Sequence, residues 1–185
     1  QEDLKLRCQQ LQARINTNNR TYLLEDTRTL WLTGKSLPPQ CNKAFERLYK
    51  SDLMTNELVW ERIRLAMDNG KIGLVNYLRK SLDKDYKTWA KLWVAIHHNP
   101  SMGTKNPQYP DTAITREILL YGIKRLTSQN ISRSLRNWET LQANYSFTPA
   151  EINEVNIVIA VRAAKNKHPE AAELLDNLNP ALDSD

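Results

Sequence analysis

The sequence has few glycines, two cysteines and no long apolar run. Its five glycines in 185 residues accompany many Leu, Ala, Lys, Arg, Glu and Gln residues, which lose little conformational freedom on entering a helix. No apolar run approaches the roughly 18 residues of a membrane span. A compact chain of this length buries about 70% of its unfolded surface, so it needs neither a disulfide scaffold nor a metal to fold. The composition predicts an all-α chain.

Signatures of several enzyme classes are also missing. The sequence contains no Gly-x-Ser-x-Gly elbow and no His-Glu-x-x-His pair. Neither cysteine has a second ligand at metal-site spacing, and we therefore predict no metal and no cofactor. The adjacent His97 and His98 end a predicted helix, where a positive charge suits the macrodipole. Carboxylates such as Glu57 and Glu151 fit solvated helix positions.

Charge is distributed unevenly along the chain. All 26 Lys and Arg residues precede residue 168, and five of the 21 Asp and Glu residues follow it. Residues 1–167 therefore carry a net charge of +10, against +5 for the whole chain. This excess favours an acidic partner: nucleic acid, an anionic membrane surface or an anionic cell-wall polymer. A solvated basic face without a partner explains it equally well.

Apolar residues recur with helical spacing along the whole chain. The pattern predicts about nine helices with short joints, and short joints imply antiparallel neighbours in a bundle or an open stack of helix pairs. We expect one domain over 1–185, and a loop at 99–110, where three prolines and a glycine cluster. Three tryptophans recur every 29 residues, either as a trace of a helix-pair repeat or by chance; they are Trp31, Trp60 and Trp89. We expect the tryptophans to be mainly core residues.

The tripeptide Gly34-Lys35-Ser36 resembles the end of a phosphate-binding loop. Such a loop needs an earlier glycine at the position of Thr29, a strand before it and a helix after it. The preceding residues predict a helix instead, and Pro38 and Pro39 follow. We therefore predict a helix that ends at a left-handed Gly34, as at Gly70, and no nucleotide site.

Cys8 and Cys41 each lie on an apolar helical stripe. They are either two inert buried thiols or a disulfide that requires an oxidising compartment. The residues alone leave both alternatives open.

The segments "LWLTGKSLPPQCNKAFERLY" and "WERIRLAMDNGKIGLVNYL" resemble the helical superhelix region of the soluble lytic murein transglycosylases, large periplasmic enzymes. The resemblance is specific over residues 30–82, looser over 111–165, and includes an upstream cysteine that matches Cys8. It implies an irregular α-superhelix, a periplasmic location and a Cys8–Cys41 disulfide.

The family cleaves the β-1,4 bond between N-acetylmuramic acid and N-acetylglucosamine and leaves a 1,6-anhydro product. Its separate lysozyme-like C-terminal domain carries the catalytic Glu in a Glu-Ser dipeptide, followed by Gly-Leu-Met-Gln. Neither motif occurs here, so the resemblance transfers no catalytic residue. The chain opens without Met, and we expect it to be a piece of a larger protein.

Three hypotheses follow. The resemblance favours a non-catalytic domain that helps to position peptidoglycan against the catalytic domain. A helical scaffold for other cell-wall proteins is the alternative. A nucleic-acid reader is disfavoured, because Val75 and Tyr77 occupy expected base-reading positions. Five basic residues could meet anionic stem peptides: Lys35, Arg47, Arg62, Arg64 and Arg79.

Overall fold

The structure, a computed structural model, describes residues 2–17 and 21–178. These residues form helices and no strand, which confirms the predicted all-α class. The chain divides into two compact units, Gln1–Ala90 and Lys91–Asp185. Whether 1–185 is a single domain stays a prediction. The acidic residues Asp183 and Asp185 lie outside the described residues.

The first unit contains five complete helices and two 3₁₀ turns, and α6 begins in it. The bounds are α1 Glu2–Asn16, α2 Leu23–Trp31, a 3₁₀ turn Pro39–Cys41, α3 Asn42–Tyr49, α4 Asn56–Asp68, α5 Ile72–Leu78, a 3₁₀ turn Arg79–Ser81 and α6 Lys84–His98. Helix α1 packs on α2, α3 and the first turn, and α4 packs on α5. Val59, Ile63 and Ala66, which follow one another at helical spacing along α4, are buried in this core.

The second unit contains the rest of α6 and five further helices. These are α7 Pro100–Gly103, α8 Ala113–Gln129, α9 Ile131–Asn144, α10 Pro149–Lys165 and α11 Ala171–Asp176. Helix α8 packs against α9 and α10, and α11 packs on α10. A capping box begins α10: the Glu151 amide donates to the Thr148 hydroxyl and the Glu151 carboxylate accepts from the Thr148 amide. Nine of the eleven described helices have seven residues or more, in line with the predicted number.

The predicted loop at 99–110 is wrong over its first residues, because Pro100–Gly103 form the short helix α7. The Asn99 side chain caps it by accepting from the Met102 amide, and Pro100 takes the first helical position, where its missing N–H costs nothing. Residues 104–112 contain no helix. The Tyr145 hydroxyl holds this segment by donating to the carbonyls of Pro107 and Tyr109, at 3.3 and 3.1 Å.

Hydrogen bonds within each unit repeatedly join residues about one helix pair apart. Tyr86 donates to Glu57, 29 positions away, and Arg125 donates to the His97 carbonyl, 28 positions away. Lys124 pairs with Glu154, 30 positions away. These spacings match the 29-residue interval of the tryptophans and support a helix-pair repeat, which stays a prediction.

Candidate functional site

The segment around Gly34 passes very close to α4. Helix α2 ends at Trp31, and Gly34 does not have the left-handed backbone found at Gly70. The predicted left-handed cap at Gly34 is therefore wrong. A Cβ at Gly34 would overlap the Leu65 carbonyl of α4 and lie 2.5 Å from the Asn69 side-chain nitrogen. Glycine stands here because the backbone of another segment fills the place of a side chain.

Arg62 of α4 binds the backbone of the segment around Gly34. Its guanidinium donates to the carbonyls of Thr33 and Lys35, at 3.1 and 3.3 Å, and lies 4.4 Å from the centre of the Trp31 ring, within cation–π range. Arg62 is only 4% exposed, and this burial lowers its pKa to about 10. The side chain remains charged at neutral pH, so the protein holds a largely desolvated cation here.

A cleft of about 420 Å³, which we call the Arg62 groove, opens beside this cation. Segment 36–37, helix α3, helix α4 and helix α5 all contribute to its walls. The lining residues are Ser36, Leu37, Asn42, Phe45, Glu46, Tyr49, Arg62, Gly73, Leu74 and Tyr77. The groove therefore combines a cation, one carboxylate, several neutral hydrogen-bonding groups and apolar side chains.

Two tyrosines on the wall of the Arg62 groove belong to one hydrogen-bonded chain. The Trp31 indole N–H donates to the Tyr49 hydroxyl at 3.3 Å, and the two rings meet edge to face. Burial is the main cause that raises the pKa of Tyr49, and a hydrogen bond with Tyr77 raises it further. The Tyr77 side chain is 55% exposed, so it is accessible to a ligand in the groove.

The structure separates the five basic residues proposed from the sequence. Arg62 is buried in the groove, whereas Lys35, Arg47 and Arg64 are exposed and Arg79 is half-buried. Arg64 faces a different cleft, which is lined in part by Arg28, Asp52 and Glu61. Lys35 reaches Arg62 only through its backbone carbonyl. The geometry thus selects Arg62 as the one of the five that lines the groove.

Sequence reasoning missed most of the groove. Asn42, Glu46 and Tyr49 lie along α3 at successive spacings of four and three residues, but their position beside Tyr77 of α5 depends on how the helices pack. From the sequence, Tyr77 serves only as an argument against base reading. An exposed tyrosine on a seven-residue helix is the one signal that could have indicated this surface.

Cys8 and Cys41 lie at disulfide-bonding distance, with Cα atoms 4.7 Å apart. Both side chains are fully buried. They would join α1 to the 3₁₀ turn that precedes α3, next to the segment that forms the groove.

The aromatic and histidine predictions have mixed outcomes. Four tryptophans are buried, among them Trp138, as expected, and Trp89 is half-buried. His97 ends α6 as predicted, but burial, Arg125 and His98 lower its pKa. Its ring nitrogen Nδ1 lies 2.5 Å from the Tyr121 hydroxyl. The neutral form of His97 is favoured by these contacts, and the contribution of the helix dipole stays a prediction.

Two exposed carboxylates, Glu57 and Asp111, have a pKa shifted in the direction opposite to that of a general acid. A general acid for glycoside cleavage needs a raised pKa. Hydrogen bonds from its own backbone amide and from Thr55 lower the pKa of Glu57. Hydrogen bonds from Ser146 and Arg116 lower the pKa of Asp111. Among residues 2–17 and 21–178 no group of three or more His, Cys, Asp or Glu could hold a metal, and none of their helices has the length and hydropathy of a membrane span.

Comparison with known proteins gives two different families. A family model described as Cucumovirus coat protein matches residues 3–98. The soluble lytic murein transglycosylase of Escherichia coli K12 is 28% identical over 160 residues, which cover 86% of this chain and 25% of that protein. The protein of the same name from Salmonella typhimurium is 33% identical over 94 residues, 51% of this chain and 15% of the relative.

A solved structure agrees with the second family. The 70-kDa soluble lytic transglycosylase in complex with bulgecin A superimposes with a TM-score of 0.78 at 27% identity, over 94% of this chain and 28% of that chain. The coat-protein match ends with α6, whereas the transglycosylase similarity extends through both units in sequence and in structure. The transglycosylase similarity therefore covers more of the chain than the coat-protein match. The chain spans about a quarter of the length of the Escherichia coli relative.

Proposed function

We propose that this chain is a non-catalytic helical part of a soluble lytic murein transglycosylase and that it binds peptidoglycan; the sequence similarity over 86% of the chain and the TM-score of 0.78 support this family. The observation that carries this proposal is the Arg62 groove, which offers a buried cation, hydroxyl groups and apolar side chains on one open surface. The net charge of +10 on residues 1–167 would draw an anionic polymer to the chain.

The reaction itself is proposed for a domain that this sequence does not include. The chain has no Glu-Ser dipeptide and no Gly-Leu-Met-Gln segment, and neither Glu57 nor Asp111 has the raised pKa of a general acid. The parent enzyme would cleave the glycan in a separate lysozyme-like domain, while this part helps to position the strand.

Two assays test the proposal. The chain should co-sediment with purified peptidoglycan, and less of it should do so as salt rises from 50 to 300 mM, because charge contributes to the attraction. A suspension of peptidoglycan should keep its turbidity when the chain is added. Absence of co-sedimentation contradicts the binding role, and clearing of the suspension contradicts the non-catalytic role.

A periplasmic location belongs to the same proposal. It is supported by the murein named in the relatives and by two buried cysteines at bonding distance, since disulfides persist in oxidising compartments. Thiol counting on protein isolated without reductant should find no free cysteine. Two reactive thiols after unfolding would contradict it.

A second candidate function, a scaffold for another cell-wall protein, is favoured by a cleft between α8 and α10. Ile157, Val158 and Val161 give it an apolar wall, and Lys124, Arg162 and Lys165 surround them. Val161 is 39% exposed. A protein segment with apolar and acidic side chains would complement this surface. Pull-down from a periplasmic extract, compared between the parent chain and Val161→Glu, separates this role from peptidoglycan binding.

A further inference from the structure

The Arg62 groove is lined by several hydrogen-bond donors and by one carboxylate. Arg62 offers a guanidinium at the groove wall, and Tyr77, which is 55% exposed, adds a phenol hydroxyl. Asn42 and Ser36 add an amide and a second hydroxyl. Such an arrangement suits a ligand that brings acceptor oxygens.

A carboxylate fits this arrangement better than a neutral acceptor. The guanidinium has lost most of its hydration, and the charged form of Arg62 is disfavoured by that burial. An anion placed beside it restores part of the lost stabilisation, and charge-assisted hydrogen bonds are stronger than neutral ones. The Thr33 and Lys35 carbonyls accept from Nε and Nη2 of Arg62, so a carboxylate would meet the guanidinium at Nη1.

The rest of the groove suits a short peptide. Leu37, Phe45 and Leu74 supply apolar contacts, and Glu46 places a carboxylate at an exposed position where an amino group can pair with it. The pattern of one cation, one anion and an apolar wall corresponds to a peptide that carries both a carboxylate and an amine.

We propose that the Arg62 groove binds the stem peptides of peptidoglycan through a free carboxylate directed to Arg62 and Tyr77. This inference rests on the proposed function and adds to it the part of the polymer that is bound. The glycan strand would then be held through its peptide branches.

Gly73 allows the groove to be filled without disturbing the fold. It lines the cleft, and a Cβ at this position would meet no atom within 4 Å. Gly73→Leu therefore places a side chain in the groove while α5 stays intact. Ala143→Leu, at an exposed position of α9, is the matched control because it adds a side chain of similar size away from the groove.

The experiment is calorimetric titration of the whole chain with a synthetic stem tetrapeptide. We expect the free acid to bind and its C-terminal amide to bind at least tenfold more weakly. Gly73→Leu should weaken the free acid at least tenfold, Tyr77→Phe a few fold, and Ala143→Leu not at all. Amide shifts in NMR spectra should fall on α3 and α5.

Several results would overturn the inference while leaving the proposed function intact. These are co-sedimentation with peptidoglycan but no peptide binding, equal affinity for acid and amide, or unchanged binding by Gly73→Leu. Competition by an N-acetylated glycan oligomer for the groove would also overturn it. If the parent chain does not co-sediment with peptidoglycan at all, the proposed function fails first.

Discussion

The two units of this chain are stabilised by different chemistry. The first contains both cysteines and the desolvated Arg62, and it has no histidine. The second contains all three histidines and no cysteine, and polar side chains hold its loops, among them Tyr145 and the Thr148 capping box. The groups that could respond to redox state therefore lie in the first unit, and the groups that titrate near neutral pH lie in the second.

Reduction of a Cys8–Cys41 disulfide should cause the largest loss of stability, and this loss should be confined to the first unit. Cys8 and Cys41 are 33 positions apart, and a crosslink closing a loop of that size stabilises by roughly 3 to 4 kcal/mol on the chain-entropy model. With reductant, hydrogen exchange should accelerate in α1 and α3, while α8 to α10 keep their protection. Equal acceleration in both units would remove the contrast between them.

Gly34→Ala should destabilise the first unit by about 2 to 3 kcal/mol, because its Cβ would overlap the Leu65 carbonyl. The matched control is Gly73→Ala, whose Cβ meets open space in α5. That substitution should stabilise by about 0.5 to 1 kcal/mol by restricting the unfolded chain. Urea unfolding of both variants should give changes of opposite sign in the free energy of unfolding. A Gly34→Ala variant as stable as the parent would contradict the close approach of Gly34 to α4.

Tyr145→Phe should cost the second unit about 1 kcal/mol, because the hydroxyl donates to the Pro107 and Tyr109 carbonyls. Hydrogen exchange should rise in residues 104–112 before it rises in the helices. Tyr22→Phe serves as the control, since Tyr22 is 73% exposed. If both variants exchange like the parent, the hydroxyl does not hold this segment.

Replacing Gly70 by Lys and Lys167 by Gly should change the free energy of unfolding by smaller amounts and with opposite signs. Helices α4 and α10 end in the same way: the amides of Lys71 and His168 donate to carbonyls five residues back, at 2.8 and 2.9 Å. The left-handed residue is Gly70 in α4, with φ 62°, and Lys167 in α10, with φ 52°. Gly70→Lys should destabilise by about 1 kcal/mol and Lys167→Gly should stabilise by up to about 1 kcal/mol. Thermal unfolding measures the stability change of each variant. If both variants are stabilised or both are destabilised, the C-terminal ends of α4 and α10 are not equivalent.

The smallest expected effect is that the stability of the second unit depends on pH. Burial, Arg125 and His98 hold the pKa of His97 below its ordinary value of 6.5. The unfolded chain therefore binds a proton more readily than the native chain, and stability should fall as pH drops below about 6.5. His97→Gln should flatten this dependence, as followed by hydrogen exchange in α8. An unchanged slope in that variant would assign the effect to other groups.

Sequence reasoning predicted the helices well and their meeting points poorly. Apolar periodicity predicted the all-α class, and the left-handed Gly70 was predicted correctly, because both depend on local spacing and local conformation. It failed at Gly34, whose role is set by the Leu65 carbonyl 31 positions later. It also failed at Asn99, where a four-residue helix is too short to show a period. Lys35, Arg47, Arg64 and Arg79 could not be ranked against Arg62, since burial depends on packing.

The Gly34-Lys35-Ser36 segment has the opposite electrical polarity to a phosphate-binding loop. A phosphate loop turns backbone N–H groups inward around an anion. Here the carbonyl oxygens of Thr33 and Lys35, on either side of Gly34, turn inward around the Arg62 guanidinium. Segment 33–35 thus holds an internal cation, and a nucleotide phosphate brought to those two carbonyls would meet the negative ends of their dipoles. The direction of the peptide dipoles, and not the Gly-Lys-Ser sequence itself, decides which ion such a turn accepts.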